Sequence, residues 1–111
     1  MEKKCSISVI ILSFNEAGNI NKVVDLVLKF LKEENLDDYE LILVDGGSTD
    51  GTAKIIDELI TNNGRTQAVH NPPKKGLGHD FRTGLALASK DYVVLFPGDN
   101  EKIPENITNI L

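Results

Sequence analysis

The sequence of 111 residues contains no tryptophan, one cysteine and few aromatic side chains, which make up 5% of it. The single cysteine, Cys5, excludes an internal disulfide bond, and no cluster of cysteine and histidine residues has the spacing of a zinc site. No apolar run approaches the roughly 20 residues that a membrane-spanning helix needs. The N-terminal segment also lacks the cleavage-site pattern of a secretory signal. We therefore expect a cytoplasmic protein whose chain does not itself cross a membrane.

Basic residues are scarce relative to acidic ones. The chain has 12 Lys and Arg residues against 17 Asp and Glu residues, so its formal net charge is -5. Such a surface repels polyanions, and we expect no nucleic-acid partner. A ligand that carries phosphate would need local cations or a bound metal ion. The length and the hydrophobic content of 41% suit one domain over residues 1–111 with a modest core.

What the sequence does contain is a regular alternation of strand and helix patterns. Short β-branched runs predict strands, and apolar residues at helical spacing predict helices. The predicted strands are 6–12, 40–44, 66–69 and 92–96, and the predicted helices run from Glu16 to about Glu34, through 55–60, through 81–88 and onwards from Pro104. This order predicts an α/β fold, in which a Rossmann-like parallel sheet carries helices on both faces.

Polar turns follow the predicted strands, at the edge of the sheet where ligands of parallel α/β folds bind. In LILVDGGSTDGT, Asp45 ends the second strand and is placed to accept hydrogen bonds from a ligand. Gly46 and Gly47 would let the backbone approach that ligand closely. A structural interpretation is also open, in which Ser48 or Thr49 caps the next helix and Asp50 favours its positive end. The two interpretations are compatible.

A basic and glycine-containing segment precedes the third predicted helix. In KKGLGHDFRTG, Lys75 and Arg82 bracket Gly76 and Gly78. Backbone N–H groups at the start of a helix and nearby cations suit a phosphate group. The segment lacks both the G-x-G-x-x-G fingerprint and the Walker A pattern, which argues against a dehydrogenase or an NTPase.

An oxygen-rich turn, FPGDNE, follows the fourth predicted strand and contains Asp99. Such a turn suits Mg²⁺ or Mn²⁺, which accept one or two protein carboxylates and take their other ligands from phosphate and water. A metal ion would also bridge an acidic protein to a diphosphate. On this loop alone, an ordinary Pro-Gly-Asp-Asn turn is the favoured interpretation.

In combination, SVIILSFNEAGNI, YELILVDGGSTDGTAKII and GLGHDFRTGLALASKDYVVLFPGDNEKIPENI resemble the N-terminal half of the inverting family-two nucleotide-sugar glycosyltransferases, which have a GT-A fold. Within that family the sequence looks closest to the polyprenyl-phosphate group, which includes the dolichol-phosphate mannosyltransferases. The resemblance covers essentially the whole chain, in order and spacing. It implies a nucleotide diphosphate-sugar as donor, a polyprenyl phosphate as acceptor, and Mg²⁺ or Mn²⁺ as cofactor.

The resemblance also implies roles for residues at the first two strand ends. The family's Pro-Thr-Tyr-Asn-Glu stretch contacts the base and ribose, and it corresponds here to Leu12, Ser13, Phe14, Asn15 and Glu16. The aromatic residue, the Asn and the Glu match, but the proline is absent. The family's Asp-Asp-Gly-Ser turn reads the base through its first acid, which is Asp45 here. Gly46 stands in place of the second acid.

The later motifs match in part. The segment with Lys75, Gly76, Gly78 and Arg82 is similar to the family stretch that approaches the nucleotide and its phosphates. The family's Asp-x-Asp metal motif falls on Pro97, Gly98 and Asp99. Its first acid is therefore missing, while Asp99, at the position that usually touches the metal most directly, remains. The resemblance thus implies metal binding through Asp99 and nucleotide binding near Gly98.

The family's acceptor site and catalytic base lie well beyond the metal motif, whereas this sequence ends soon after it. From the resemblance we expect a truncated donor-binding domain that binds nucleotide-sugar weakly and does not transfer the sugar, and we assign no catalytic residue. A parent enzyme could work at the cytoplasmic face of a membrane. We also expect a homo-oligomer, because a sheet that lacks its next strands leaves an open edge.

Two other classes of function stay open. A non-catalytic nucleotide-binding or assembly module of the same fold would keep Asp45 and the glycine turns without needing an acceptor site. A nucleotidyltransferase or flavodoxin-like domain would share the sheet. Its usual phosphate loop after the first strand, however, is not seen in LSFNEAGN.

Overall fold

The computed structural model describes residues 5–97. In chain order the elements are β1 (Ser6–Ser13), α1 (Ile20–Glu33), β2 (Asp38–Asp45), α2 (Thr52–Asn62), β3 (Thr66–His70), α3 (Leu77–Leu87) and β4 (Tyr92–Pro97). The predicted alternation of strands and helices is confirmed over this range. Gly98, Asp99 and the helix expected from Pro104 lie outside the described residues.

The four strands form one parallel sheet in the order β3-β2-β1-β4. The register aligns their carboxyl ends. Ser13 of β1 pairs with Asp45 of β2, Asp45 pairs with His70 of β3, and Leu12 of β1 pairs with Pro97 of β4. We call this side of the sheet the carboxyl edge. The four strands therefore end at one edge of the sheet, as the sequence predicted.

The core lies on both faces of the two central strands, β1 and β2. On one face, α1 and α2 pack through buried side chains such as Val23, Val27 and Ile56. On the other face, α3 covers a smaller cluster that includes Ile10 and Val44. Burial on both faces explains why these strands read as continuous apolar runs. The predicted α/β class, with helices on both faces of a parallel sheet, is confirmed.

The opposite edge of the sheet is closed by a buried carboxyl group. Glu40 Oε2 accepts hydrogen bonds from Ser8 Oγ at 2.6 Å and from the Ser89 backbone N–H at 2.7 Å. Burial acts to raise the pKa of Glu40. The hydrogen bonds from Ser8 and Ser89 and the charge of Lys90 outweigh it, so this pKa lies below its ordinary value. The group ties β1, β2 and the turn before β4 together.

Strand β4 forms one side of the sheet among residues 5–97. Its inward side chains Val94 and Phe96 are buried, but Val93 and Leu95 on the other face remain 39% and 43% exposed. Helix α3 contacts β1 and β2, and so leaves this face of β4 open in the described part of the chain. None of the helices described here has the length and apolar character required to cross a bilayer.

Candidate functional site

The turns after β1 and β2 are joined by hydrogen bonds at the carboxyl edge. The Asn15 backbone N–H donates to Ser48 Oγ at 2.8 Å, and the Thr49 backbone N–H donates to Asn15 Oδ1 at 2.8 Å. Asn15 has a left-handed φ of 51°, a conformation that Asn tolerates better than most residues. The predicted site residue Asn15 therefore holds two loops in a fixed relation.

A second set of bonds links the same turns closer to the helices. The Glu16 N–H donates to Thr52 Oγ1 at 2.9 Å, and the Ala17 N–H donates to Asp50 Oδ2 at 3.1 Å. Because the backbone N–H groups of Glu16 and Ala17 are engaged by the β2 turn, α1 begins at Ile20 and not at Glu16 as predicted. The hydrogen bond with Thr52, followed by bonds from the backbone, lowers the pKa of Asp50 against its slight desolvation.

The capping prediction for α2 was wrong for Ser48 and Thr49, while the placement of Asp50 at the start of the helix is confirmed. Ser48 and Thr49 contact the β1 turn, whereas α2 begins at Thr52 with Gly51 at the N-cap position. Asp50 Oδ1 accepts the Thr52 N–H at 3.1 Å, so an acid does stand at the start of this helix. The polar residues of this turn therefore hydrogen-bond to the β1 turn, and among them Asp50 also bonds to the start of the helix.

The β1 turn presents one large side chain to solvent. Phe14 is 55% exposed, and it directly follows the buried Ser13, whose Oγ donates to the Val44 carbonyl at 3.1 Å. Glu16 has its carboxyl group bonded to Asn19 Nδ2 at 3.0 Å. An exposed aromatic ring on a fixed turn can stack on a planar ligand such as a nucleobase.

Asp45 is almost completely buried, with 3% of its surface exposed. Its Oδ1 accepts the Ser48 N–H at 3.0 Å, and its Oδ2 lies 3.4 Å from His70 Nδ1. The other ring nitrogen of His70 lies 2.8 Å from Asp57 Oδ1. The hydrogen bond to Asp57 is the largest cause that raises the pKa of His70. The bond to Asp45 and the charges of both acids raise this pKa further and outweigh the effect of partial burial, which lowers it. Asp45 is thus held in one orientation from two sides.

The two glycines after Asp45 lie in close contact with the segment between β3 and α3 and with α3 itself. Gly47 has a φ of +92°, and a Cβ there would lie 2.5 Å from the Pro73 backbone. A Cβ on Gly46 would lie 2.8 Å from Oδ2 of Asp80 in α3. Both glycines therefore let the β3–α3 segment pack over the end of β2.

Asp80 is a buried acid beside the candidate site that the sequence interpretation did not name. It is 8% exposed, and its Oδ1 accepts a hydrogen bond from Asn71 Nδ2 at 2.7 Å. Asn71 also donates to Thr83 Oγ1 at 2.9 Å, and its backbone N–H donates to the Asp45 carbonyl at 2.8 Å. One signal was available, because Asp80 stands four residues before Gly84 and both occupy the sheet-facing side of α3.

The basic and glycine segment lies at the start of α3. Gly76 is the N-cap residue with a φ of 89°, and Gly78 lies in the first turn. Lys75 and Arg82 are exposed, and within residues 5–97 neither forms an ion pair. These cations and the helix N-terminus are available to an anionic group at the carboxyl edge.

A metal site is not found in the part of the chain that the structure describes. In residues 5–97 no group of three or more His, Cys, Asp or Glu side chains could hold a metal ion. Asp99 and Gly98 lie outside this range, so the prediction of metal binding through Asp99 stays a prediction.

Fold and sequence together define the class of this protein. The model of Glycosyl transferase family 2 matches residues 8–111, and the chain belongs to this family. The structure resembles that of the mannosyltransferase PcManGT from Pyrobaculum calidifontis, solved in complex with GDP-Man and Mn²⁺. The TM-score is 0.76 and the identity 25%, over 87% of this chain and 28% of that one. The GT-A fold that the sequence predicted for this chain is thus confirmed.

Two curated relatives are similar along nearly the whole chain. "Glycosyltransferase GlyG" of Streptococcus pneumoniae serotype 4 is 28% identical over 95% of this chain and 33% of its own length. "Undecaprenyl-phosphate 4-deoxy-4-formamido-L-arabinose transferase" of Proteus mirabilis is 29% identical over 99% of this chain and 34% of its own length. The chain thus spans about a third of the length of these relatives.

Proposed function

We propose that this chain is the donor-binding part of a glycosyltransferase that moves a sugar from a nucleotide diphosphate-sugar to an acceptor. The observation that carries the proposal is the joined pair of turns after β1 and β2, which hold Phe14 and Asp45 at the carboxyl edge. Turns that are fixed before the ligand arrives lose little conformational entropy on binding. Membership of Glycosyl transferase family 2 supports the choice of ligand.

In this proposal the nucleoside lies over the ends of β1 and β2. Phe14 stacks on the base, and Asp45 accepts a hydrogen bond from a base N–H group through Oδ2. That atom can accept a further hydrogen bond, because its contact with His70 is long, at 3.4 Å, and a carboxyl oxygen can accept more than one bond. Ser13, Asn15, Glu16, Gly46 and Gly47 shape the backbone around it.

The diphosphate lies toward the start of α3. Lys75 and Arg82 supply positive charge, while Gly76 and Gly78 leave the first backbone N–H groups of the helix accessible. Local cations are needed because the whole chain has a net charge of -5. Gly98, by its place in the motif, would lie close to the same group.

Asp99 is proposed to hold Mg²⁺ or Mn²⁺ together with the diphosphate. A bound divalent ion would neutralise charge on the departing nucleoside diphosphate. PcManGT was solved with Mn²⁺ and GDP-Man, which supports this choice of ion.

A polyprenyl phosphate is the proposed acceptor, supported by the similarity to the Proteus mirabilis undecaprenyl-phosphate transferase. Such an acceptor would place the reaction at the cytoplasmic face of a membrane. Inverting transfer also needs a base within hydrogen-bond reach of the acceptor. Because the chain spans a third of its relatives, we expect these 111 residues to bind donor without transferring it. Transfer of sugar to added undecaprenyl phosphate by the isolated chain would contradict this expectation.

A homo-oligomer through the β4 side of the sheet is part of the same proposal. Val93 and Leu95 are exposed there, and β4 has no strand partner on its outer side within residues 5–97. An unpaired strand beside exposed apolar side chains favours association with a second copy.

The test is calorimetric titration of the chain with UDP, GDP and their sugar conjugates, with and without Mn²⁺. We expect the chain to bind the nucleotides of one base, and to bind them more strongly with Mn²⁺ than without it. The sugar conjugate should bind more strongly than the matching nucleoside triphosphate. The variant Asp99→Ala should lose the effect of Mn²⁺, and Phe14→Ala should weaken binding by about 5- to 100-fold, the loss of one stacked base.

Glu33→Ala, on the exposed end of α1, is the matched control and should bind like the unchanged chain. No binding of any nucleotide at millimolar concentration would contradict the donor-binding proposal. It would favour the alternative of a non-catalytic assembly module. If Mn²⁺ strengthens nucleotide binding by the parent chain but does not change binding by Asp99→Ala, the result would support the proposed metal role of Asp99.

A further inference from the structure

One buried carboxyl group at the carboxyl edge has only part of its hydrogen-bonding capacity used. Oδ1 of Asp80 accepts from Asn71 at 2.7 Å, but no hydrogen bond from residues 5–97 reaches Oδ2. Asp80 as a whole is 8% exposed. No fully buried side-chain nitrogen or oxygen in residues 5–97 lacks a partner, so Oδ2 is not an isolated buried atom. As a carboxylate oxygen it can accept a hydrogen bond from a ligand at the carboxyl edge.

The position of Oδ2 is defined by Gly46. A Cβ built on Gly46 would lie 2.8 Å from Asp80 Oδ2 and 3.7 Å from Asp80 Cγ. The φ of Gly46 is not in the left-handed region, so the backbone there would accept any L-residue. Only Oδ2 of Asp80 lies closer to that Cβ position than an ordinary contact, so a side chain at residue 46 would require Asp80 to move. Asp80 therefore fills, from α3, the space that a side chain at residue 46 would otherwise occupy.

The two acids approach the end of β2 from opposite faces of the sheet. Asp45 lies on the face of α2, where it contacts His70, and Asp80 lies on the face of α3, above Gly46. The Asn71 side chain holds Asp80 while its backbone N–H holds the Asp45 carbonyl. The two carboxyl groups are thus fixed to the same short stretch of backbone, where the proposed nucleotide would lie.

We propose that Asp80 contacts the bound nucleotide-sugar directly, with Oδ2 accepting a hydrogen bond from a ribose hydroxyl or a base N–H group. This inference rests on the proposed function. It makes Asp80 a ligand-binding residue contributed by α3 in place of a side chain at residue 46. Residue 46 is then a glycine because the second carboxyl group is supplied by α3 and occupies the space beside it.

The experiment measures nucleotide-sugar affinity by calorimetry and thermal unfolding for the parent chain and for Asp80→Asn. Asparagine keeps the size of the side chain and an acceptor for Asn71. We expect the affinity to fall by about 10- to 100-fold, the loss of one charge-assisted hydrogen bond, at nearly unchanged melting temperature. Thr83→Val is the control, because it disturbs Asn71 without touching the Asp80 carboxyl group. It should keep the parent affinity.

A double variant, which moves the carboxyl group from residue 80 to residue 46, distinguishes loss of that group from misfolding. Asp80→Ala should weaken binding, and adding Gly46→Asp to it should recover most of the affinity, because the carboxyl group returns to the same space from β2. Gly46→Asp alone should lower the melting temperature, since both side chains then compete for that space.

The outcomes separate the two proposals. Parent binding together with an unchanged affinity of Asp80→Asn would overturn the role of Asp80 and leave the proposed function standing. A loss of affinity in Thr83→Val equal to that in Asp80→Asn would also overturn it, in favour of a purely structural role. Absence of nucleotide binding by the folded parent chain would overturn both.

Discussion

At the scale of single residues, His70 connects the candidate site to a titration. Its ring lies between Asp45 and Asp57, and its pKa is raised chiefly by the bond to Asp57. A histidine whose pKa is higher in the folded state stabilises the fold below the unfolded pKa, near 6.5. That stabilisation is lost as the pH rises through the folded pKa.

We predict that His70→Gln flattens the pH dependence of stability between about pH 5.5 and pH 8. Below the unfolded pKa the variant should be less stable than the parent by up to about 1 kcal/mol, a small effect because the ring is 41% exposed. The difference should shrink as the pH rises. Urea unfolding at both pH values measures it. His79→Gln changes the other histidine, and an equal effect there would remove the assignment to His70.

Glu40 allows the complementary prediction at the opposite edge of the sheet. Its pKa is lowered, so its stabilising effect is present above about pH 4.5 and is lost as the pH falls through the folded pKa. Glu40→Gln should lower the free energy of unfolding at pH 7 by about 1–3 kcal/mol, because buried bonds from Ser8 and Ser89 are weakened. The nucleotide affinity should not change. A comparable loss of affinity would show that the two edges are coupled.

At the scale of elements, the position of α3 depends on close contact with the sheet. A Cβ on Gly84 would lie 2.9 Å from Ile10 Cγ2 and 3.0 Å from Val44 Cγ2. The helix therefore lies near enough to β1 and β2 to bring Asp80 over Gly46. Any outward shift of α3 would separate the parts of the site that belong to α3 from those that belong to β2.

We predict that Gly84→Ala destabilises the protein by about 1–3 kcal/mol, because overpacking exceeds the gain of about 1 kcal/mol in helix propensity. Gly78→Ala is the matched variant in the same helix. No atom lies within 4 Å of its Cβ position, and its φ is not positive, so it should be neutral or slightly stabilising. Thermal unfolding compares the two. Equal effects would mean that contact with the sheet does not set the position of α3.

At the scale of the whole molecule, the sheet is covered unevenly. Helices α1 and α2 bury one face of all four strands, while α3 leaves Val93 and Leu95 of β4 exposed. This surface is the structural basis for the proposed association of two copies.

We predict that light scattering shows a dimer or larger assembly at high protein concentration, and that the double variant Val93→Lys/Leu95→Lys is a monomer. Two charges on this face would repel their counterparts and resist burial. Leu26→Lys, on the outer side of α1, changes an equally exposed leucine and should leave the assembly intact. A monomeric parent chain would contradict the proposal.

The sequence by itself determined the order of the elements, the parallel sheet and the turns at its carboxyl edge. It could do so because β-branched runs and helical spacing depend on local preference and on burial of one face. It also marked Asp45, since this residue directly follows an apolar strand. It did not reveal how the side chains around Asp45 pair.

Only the tertiary structure decided which residues share the site. Ser48 and Thr49 were predicted as helix caps, but packing of the β1 turn against the β2 turn gave them Asn15 as a partner. Asp80 meets Gly46 across 34 positions of sequence, because α3 lies against β2. Contacts between distant segments depend on how the elements pack, and no local pattern specifies them.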